Sequence, residues 1–361
     1  MNRKGQEVES QVHWIFILIA GALIIGFFAT IVVKQKAASE IALQGKVSQQ
    51  LDAIFAGAQQ SPGTLLRTPT PDIAVEFTCN DMLIGPAAQR LGQNIVYAAS
   101  RIEGNELITW TLPFSAPFPV ANILYVTGPD IRYYLIDNGD TTLWHTLNGS
   151  LDDPRAPPSL PEELTRNFDR LTPEDISSLR DRNNAHVRFI FVGDTTDPTS
   201  VDFSNFKDAD FSVVQIAGSQ ATWYHKSSAT GVSRIGSEGF YSFPMLYGAI
   251  FTLDVNNKVN DQSQERYNCV SNKLIDKLNL VAAIYYYKFN NILAEELAQS
   301  ECAQYYKENK ALKQLAGMDG SPITNWPGSN SLAIVSAIQA AKNQLESTNE
   351  NLQRISCPLL Y

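Results

Sequence analysis

The clearest pattern along the chain is a run with no polar face. Trp14 to Val33 contains twenty residues without a charge, and its most polar member is Thr30. A helix of that length rises about 30 Å, the thickness of the bilayer hydrocarbon. Soluble core helices seldom stay apolar on every face for so long. Trp14 stands at one boundary as an interfacial aromatic, and Lys34 and Lys36 close the other, where they reach toward headgroups. A cleaved secretory signal would be shorter and end in small residues; Val32-Val33-Lys34 is no such site. The pattern then changes without a break. Ile41, Val47, Leu51, Ile54, Phe55 and Ala58 recur at helical spacing, with Lys46, Gln49, Gln50 and Asp52 between them. No proline occurs before Pro62, so one helix from about residue 12 to 59, roughly 70 Å long, is predicted. Its parts are a cytoplasmic segment 1–13, a transmembrane helix 14–33 and an amphipathic stalk 34–60.

Ser61-Pro62-Gly63 ends that helix with breakers. Short alternating or aromatic runs follow and predict strands at Ile73–Phe77, Asn94–Ala98, Glu106–Thr111, Ile123–Val126 and Arg132–Ile136. Gly85–Leu91 reads as a short helix. The stretch 152–161, DDPRAPPSLP, holds four prolines and reads as a linker or large surface loop. Glu162–Asp169 and Pro173–Arg182 read as helices, the second capped by Thr172 with Pro173 at its first position. Val187–Val192 is a strand, and Phe211–Ile216 with Ala221–His225 forms a hairpin across Gly218. A last apolar run, Ala249–Leu253, follows these strands and precedes a helical tail. In the tail Val270, Leu274, Leu278, Val281, Tyr285, Ile292 and Leu297 mark one face, Ala303–Leu315 a second helix, and Leu332 to Ile355 a final one. The fold class is therefore α+β: a mixed α/β head over 61–260, a helical C-terminal region over 261–361, and a long N-terminal transmembrane and stalk helix.

Candidate chemistry is sparse. His13, His145, His186 and His225 form no HExxH pair and none lies near a cysteine at ligand spacing. The chain shows no GxGxxG, Walker A loop or GxSxG elbow. We therefore expect no metal, no cofactor and no catalytic residue. One echo stands out. A strand leads into Gly139-Asp-Thr-Thr142 and another into Gly193-Asp-Thr-Thr196, placing an acid just past a strand's carboxyl end, where α/β folds bind ligands. Two ordinary turns have the same composition. The aromatic cluster Tyr285-Tyr286-Tyr287-Phe289 reads as packing against a neighbouring sheet.

The four cysteines, Cys79, Cys269, Cys302 and Cys357, include no CxxC and suit two disulfides. A straight helix would hold Cys269 and Cys302 about 50 Å apart, far beyond bridging distance. The pairing expected among the three connectivities is Cys79–Cys269 with Cys302–Cys357. An even cysteine number and the sequon Asn148-Gly149-Ser150, with Asn148 as candidate acceptor, favour a body outside the cell. The positive-inside count nearly ties, with Arg3 and Lys4 before the span and Lys34, Lys36 and Lys46 after it.

The chain has 361 residues and a formal net charge of −9. Residues 1–36 carry four basic and two acidic side chains, a net of +2, so the rest carries −11. An acidic body lacks the cationic face needed to replace phosphate counterions, so no nucleic-acid partner is expected.

The opening Arg3-Lys4-Gly5-Gln6, followed by a short polar stretch and the apolar run, resembles the class III signal peptide of archaeal type IV pilin-like proteins. There a peptidase cuts between Gly and Gln on the cytoplasmic side and leaves the hydrophobic helix attached. The resemblance implies a cut between Gly5 and Gln6. The family's usual Glu at the fifth mature position is Ser10 here, with Glu7 and Glu9 nearby; an uncleaved signal anchor is the alternative. Lys4-Gly5-Gln6, Trp14–Gly21, Val33–Lys36, Gly104–Leu112, Tyr267-Asn-Cys269 and Ser356–Tyr361 together resemble a family of uncharacterised archaeal membrane-anchored proteins. That likeness runs through the whole chain and implies an archaeal source and single-pass topology, but no activity. The expected function is a non-enzymatic, structural or interaction protein of the cell envelope, with the N-terminus inside and the head outside. A pilin-like filament subunit or minor pilin is the specific form. Its expected partners are the lipid bilayer and other envelope proteins, or itself through the N-terminal helix, where Ala22, Gly26 and Thr30 form a small-residue stripe. The alternatives are a monomeric surface-anchored binding protein and an anchored hydrolase without a readable motif.

Overall fold

A computed structural model describes residues 3–361 except 71–73, 86, 138, 140–141, 150–158, 180–185, 207–209, 229, 255–261, 308, 319, 322, 324–325 and 327–330. One helix, α1 (Arg3–Gln60), runs through 58 residues, about 87 Å. No proline interrupts its ladder, and Gly63 at φ 78° reverses the chain just past its end. From Leu18 to Lys36 nothing is buried, and among the described residues this is the one helix long and apolar enough to cross a membrane.

Three sheets form the head. The first joins β1 (Leu65–Pro69), β5 (Ile95–Ala98), β7 (Glu106–Ser115) and β8 (Pro119–Thr127) in the order β1-β7-β8-β5, with β5 parallel to β8 and the other pairs antiparallel. The second is a small antiparallel sheet of β2 (Val75–Phe77), β3 (Asp81–Ile84), β4 (Ala87–Arg90) and β6 (Arg101–Ile102), ordered β4-β3-β2-β6. The third has six strands, β9 (Ile131–Ile136), β10 (Phe168–Leu171), β11 (His186–Val192), β12 (Asp210–Ala217), β13 (Gln220–Lys226) and β14 (Val232–Gly239). Their order is β10-β9-β11-β12-β13-β14; the first four are parallel, and β13 and β14 are antiparallel.

Alternation along the strands divides the interior into layers. Val96, Ala98, Leu124 and Val126 of the first sheet face the small sheet and α1, which contributes Val47, Leu51 and Phe55. Ile95, Tyr97, Ile123 and Tyr125 face the opposite way into the main core. The six-stranded sheet is covered on both faces. Tyr133, Leu135, Ile190 and Val192 enter the main core, while Tyr134, Phe189, Phe191 and Val213 meet Phe203 and Phe206. All eight are apolar or aromatic, and seven of them, Tyr133–Leu135 and Phe189–Val192, fall at successive positions, as buried parallel strands require.

The helices after α1 are α2 (Thr142–Leu147), α3 (Glu162–Thr165), α4 (Phe243–Phe251), α5 (Ser263–Tyr287), α6 (Ala294–Glu296), α7 (Ala303–Tyr306), α8 (Lys310–Leu315) and α9 (Ser331–Arg354). A π-helical segment, Lys288–Leu293, joins α5 to α6. Helix α5 crosses the aromatic floor of the core: Tyr267 lies 5.8 Å from Tyr97 and 5.0 Å from Trp223, ring centre to ring centre. Helix α4 approaches so closely that a Cβ on Gly248 would meet the Tyr97 ring at 2.7 Å.

Three expectations are corrected, and a run left without a state is assigned one. Gly85–Leu91 is not helical. Gly85 takes φ 57°, and Ala87–Arg90 returns along β3 as β4, with Ile84 opposite Ala87. The helix expected over Glu162–Asp169 stops at Thr165. Phe168 then stacks on Tyr133 at 4.5 Å and begins the edge strand β10. Asn167 fixes that bend by donating to the carbonyls of Ile131 and Pro129 at 2.9 and 3.3 Å. Ala249–Phe251 belongs to α4, a helix buried on almost every face, which a short apolar run cannot distinguish from a strand. Ala303–Leu315 is two short helices. Asn309 divides them, and its side chain caps α8 by accepting from the Leu312 amide.

Pro173–Ser178 is a 3₁₀ turn with the expected Thr172 cap, closed by Asp175; the expected helix's end, 180–182, lies outside the described residues. So do residues 152–158 of the proline-rich stretch. The strands β1, β3, β6 and β14 carried too little alternation to be read from sequence.

Candidate functional site

Helix α1 joins two environments. Leu18, Leu23, Ile25 and Val33 are each about 70% exposed (70%, 70%, 71% and 68%), whereas Leu51 and Phe55 are almost completely buried beneath the small sheet. Gly5 and Gln6 both lie within its first turns. A Cβ on Gly26 would meet nothing within 4 Å outside the helix's own backbone, and the Thr30 hydroxyl donates to the Gly26 carbonyl at 2.7 Å. The small-residue stripe is thus open, with its one hydroxyl satisfied inside the helix.

Both cysteine pairs have the expected connectivity. Cys79 and Cys269 lie 6.0 Å apart at Cα and tie the β2–β3 turn to α5. Beside them Lys273 donates to the Cys79 carbonyl at 2.6 Å, and burial holds its pKa below the usual lysine value. Cys302 and Cys357, 5.8 Å apart, tie the chain before α7 to the segment after α9. From Cys269 the helix α5 continues to Tyr287, about 27 Å of axial rise, before the chain reaches Cys302. Asn148 is exposed after α2, whereas Ser150 of its sequon lies outside the described residues.

The tyrosine cluster divides. Tyr285 stacks on Phe118 of the β7–β8 turn at 4.6 Å rather than on a sheet, and Phe289 stacks on Tyr306. Tyr286 lies beneath the Lys313 ammonium, and Tyr287 is 61% exposed.

The carboxyl edge of the six-stranded sheet has the geometry of a ligand site. After β9 the chain crosses through α2 and α3 on the main-core side, where Leu143, Leu147 and Leu164 are buried. After β11 it crosses on the other side, through the turn carrying Phe203 and Phe206. Connections leaving neighbouring parallel strands toward opposite faces open a crevice at their carboxyl ends. The described residues of both Gly-Asp-Thr-Thr segments lie there: Gly139 follows β9 at φ 96°, and Gly193 follows β11 at φ 80°. The Gly193 amide donates to the Ile216 carbonyl at 2.8 Å, and the Gln215 side chain donates to the Gly193 carbonyl at 2.8 Å. Asp194 points to solvent, while Asp140 and Thr141 lie outside the described residues. The buried acid at this edge is Asp137, gripped by Arg170 through two bonds of 2.5 and 2.9 Å. Hydrogen bonding to Asp137 raises the Arg170 pKa.

Beside these turns lies a cavity of about 420 Å³. Helix α2 gives it Thr142, Leu143 and Thr146; the ends of β11 and β12 give Val192, Gly193 and Ile216; and the chain entering α4 gives Phe240, Tyr241, Ser242 and Phe243. Of the echoed segments, Thr142 and Gly193 reach its wall and the described acids do not. Sequence could place the turns but not the cavity, whose far wall comes from residues about 100 positions later.

Among the described residues no group of three or more His, Cys, Asp or Glu side chains could hold a metal. A second cavity, of about 380 Å³, lies against the Cys79–Cys269 bridge and is lined by Glu76, Ser100, Glu265 and Arg266. The Arg266 guanidinium makes a buried ion pair with Asp254 at 2.9 Å. Asp254 also bonds the Ser100 hydroxyl, so these groups tie α5 to the connection between β5 and β6.

No protein-family model, no curated protein and no solved structure matches the chain.

Proposed function

We propose that the chain is a membrane-anchored structural or interaction protein of the cell envelope, with α1 as a pilin-like assembly helix. The observation that carries this reading is the continuity of α1, which passes unbroken from a bare apolar span into the head, where Val47, Leu51 and Phe55 are buried. A flexible linker would let a head swivel above its anchor. Here the span and head share one helix, so packing between spans fixes the spacing and orientation of neighbouring heads. The Gly5-Gln6 junction, with basic residues before it and the span after it, supports processing on the cytoplasmic side. Two disulfides support a head on the oxidising side of the membrane.

The intact mass of chain extracted from its native membrane tests the proposal. The expected N-terminus is Gln6. An N-terminus at Met1 or Asn2 overturns the processed, pilin-like form and leaves an ordinary signal anchor.

A further inference from the structure

We infer that the cavity at the carboxyl edge of the six-stranded sheet binds a small, uncharged, mainly apolar molecule carrying a hydroxyl or carbonyl group. This inference is independent of whether α1 assembles with other spans. At about 420 Å³ the cavity falls within the range of roughly 300–1,000 Å³ found for small-molecule sites. It also occupies the place where an α/β sheet opens, between connections that leave on opposite faces.

The wall defines the ligand's chemistry. Among the described lining residues none is an Asp, Glu, Lys, Arg or His. These residues offer no counter-charge to an ionised ligand, which would have to give up hydration to contact them. Leu143, Val192, Ile216, Phe240 and Leu246 give the wall an apolar body. A sugar, with a hydroxyl on most carbons, would leave several of them facing these side chains unpaired. The polar groups are few: the hydroxyls of Thr142, Thr146, Ser219 and Ser242 are the side-chain handles besides Tyr241.

Ser242 supplies the specific contact. Its Oγ is buried and makes no hydrogen bond. Ser242 stands at the N-cap of α4, yet its side chain does not cap the helix, the usual role of serine there. Buried hydroxyls in folded proteins almost always have a partner. The Oγ is shielded from the cavity as it stands, but Ser242 lines the wall, and a turn about χ1 to another staggered rotamer gives it a ligand hydroxyl or carbonyl as partner while the apolar remainder of the ligand packs on Leu143, Val192 and Leu246.

Methyl NMR of the full chain in phosphatidylcholine nanodiscs, labelled at Leu and Val, tests this directly. The probes are 4-propylphenol and its charged counterpart 4-propylbenzoate. The neutral probe is expected to shift the Leu143, Val192 and Leu246 methyls saturably, and the benzoate at least tenfold more weakly. Ser242→Ala is expected to weaken the phenol roughly three- to tenfold, the loss of one hydrogen bond. Ser219→Trp fills the cavity from an exposed turn position and is expected to abolish the shifts, with the Leu345 and Leu274 methyls unmoved as a check on folding. Thr142→Trp serves the same purpose if Ser219→Trp disturbs the β12–β13 turn. Absence of saturable shifts, equal binding of the benzoate, or shifts that survive both tryptophan variants overturns the inference.

Discussion

The seating of α1 in the head can be weakened in steps. Leu51 is 0% exposed and Phe55 1%, and with Val47 they form the helix's share of a core built with Val75, Phe77, Met82 and Ile84. Three fully buried apolar side chains at ~1.5–3 kcal/mol each contribute about 5–9 kcal/mol of docking energy. Leu51→Ala removes about 2–5 kcal/mol and Phe55→Ala about 3–5 kcal/mol. Either single variant therefore leaves the helix seated but lowers the head's thermal midpoint, by about 2 °C per kcal/mol for a body of this size. The double variant removes most of the docking energy. An amphipathic segment released from its partner then frays from its free end, because tertiary packing supplies most of a helix's stability. Hydrogen exchange of the full chain in nanodiscs, read by mass spectrometry, follows this residue by residue. The expected result is faster exchange at residues 47–60 in the double variant, by roughly three orders of magnitude for each 4 kcal/mol lost. The singles should change the midpoint but leave the 47–60 pattern nearly intact. Unchanged exchange at 47–60 in the double variant would refute the reasoning, because it would mean that the helix does not depend on the head for its order.

Replacing Cys302 and Cys357 together by serine frees a loop with a sequence separation of 55 and should cost about 4 kcal/mol on the chain-entropy account. An unchanged urea midpoint would contradict it. Gly248→Ala should destabilise by roughly 1–3 kcal/mol through overpacking, despite alanine's better helix propensity. The added Cβ meets the Tyr97 ring at 2.7 Å, and that ring is held between Tyr125 and Tyr267; a raised urea midpoint would show that the ring can move. Burial pushes the pKa of Tyr97, Tyr125, Tyr247 and Tyr267 well above the ordinary tyrosine value. The folded state thus keeps protons that the unfolded chain releases near pH 10. The stability from these groups is complete below that pH and declines as pH rises through the unfolded value toward the folded ones. Ultraviolet titration should show only part of the 14 tyrosines ionising before cooperative alkaline unfolding. Smooth ionisation of all of them in a folded chain would refute this assignment.

Several features were legible in the residues because their physics is local. The twenty uncharged positions of Trp14–Val33 and the absence of proline before Pro62 require only backbone and side-chain periodicity to read as one helix. Thr172 before Pro173 similarly marked where the expected helix starts, although the segment over Pro173–Ser178 is 3₁₀, and Gly218 marked its hairpin. The distance a helix puts between two of its residues excluded one of the three cysteine connectivities, Cys269–Cys302, and the choice between the other two had no local signal. The errors also share a cause. Gly85–Leu91 and Glu162–Asp169, like the run Ala249–Leu253 to which no state was assigned, are short segments whose state depends on what lies against them. A glycine reversal beside β3, the Tyr133 ring and complete burial of α4 decided these three.

By itself the sequence determined the long apolar helix, its amphipathic continuation, the acidic body and the α+β class, because composition and period specify them within a few turns of chain. Only the tertiary structure decided how α1 enters the head and where a ligand could sit. Gly139 and Gly193, which open the two Gly-Asp-Thr-Thr segments, are 54 residues apart in sequence, yet parallel pairing of β9 with β11 brings them to one sheet edge. The wall that makes a cavity beside them arrives from β12 and α4. Such a site is formed by long-range register and by connections leaving opposite faces of a sheet, and neither leaves a local pattern in the chain.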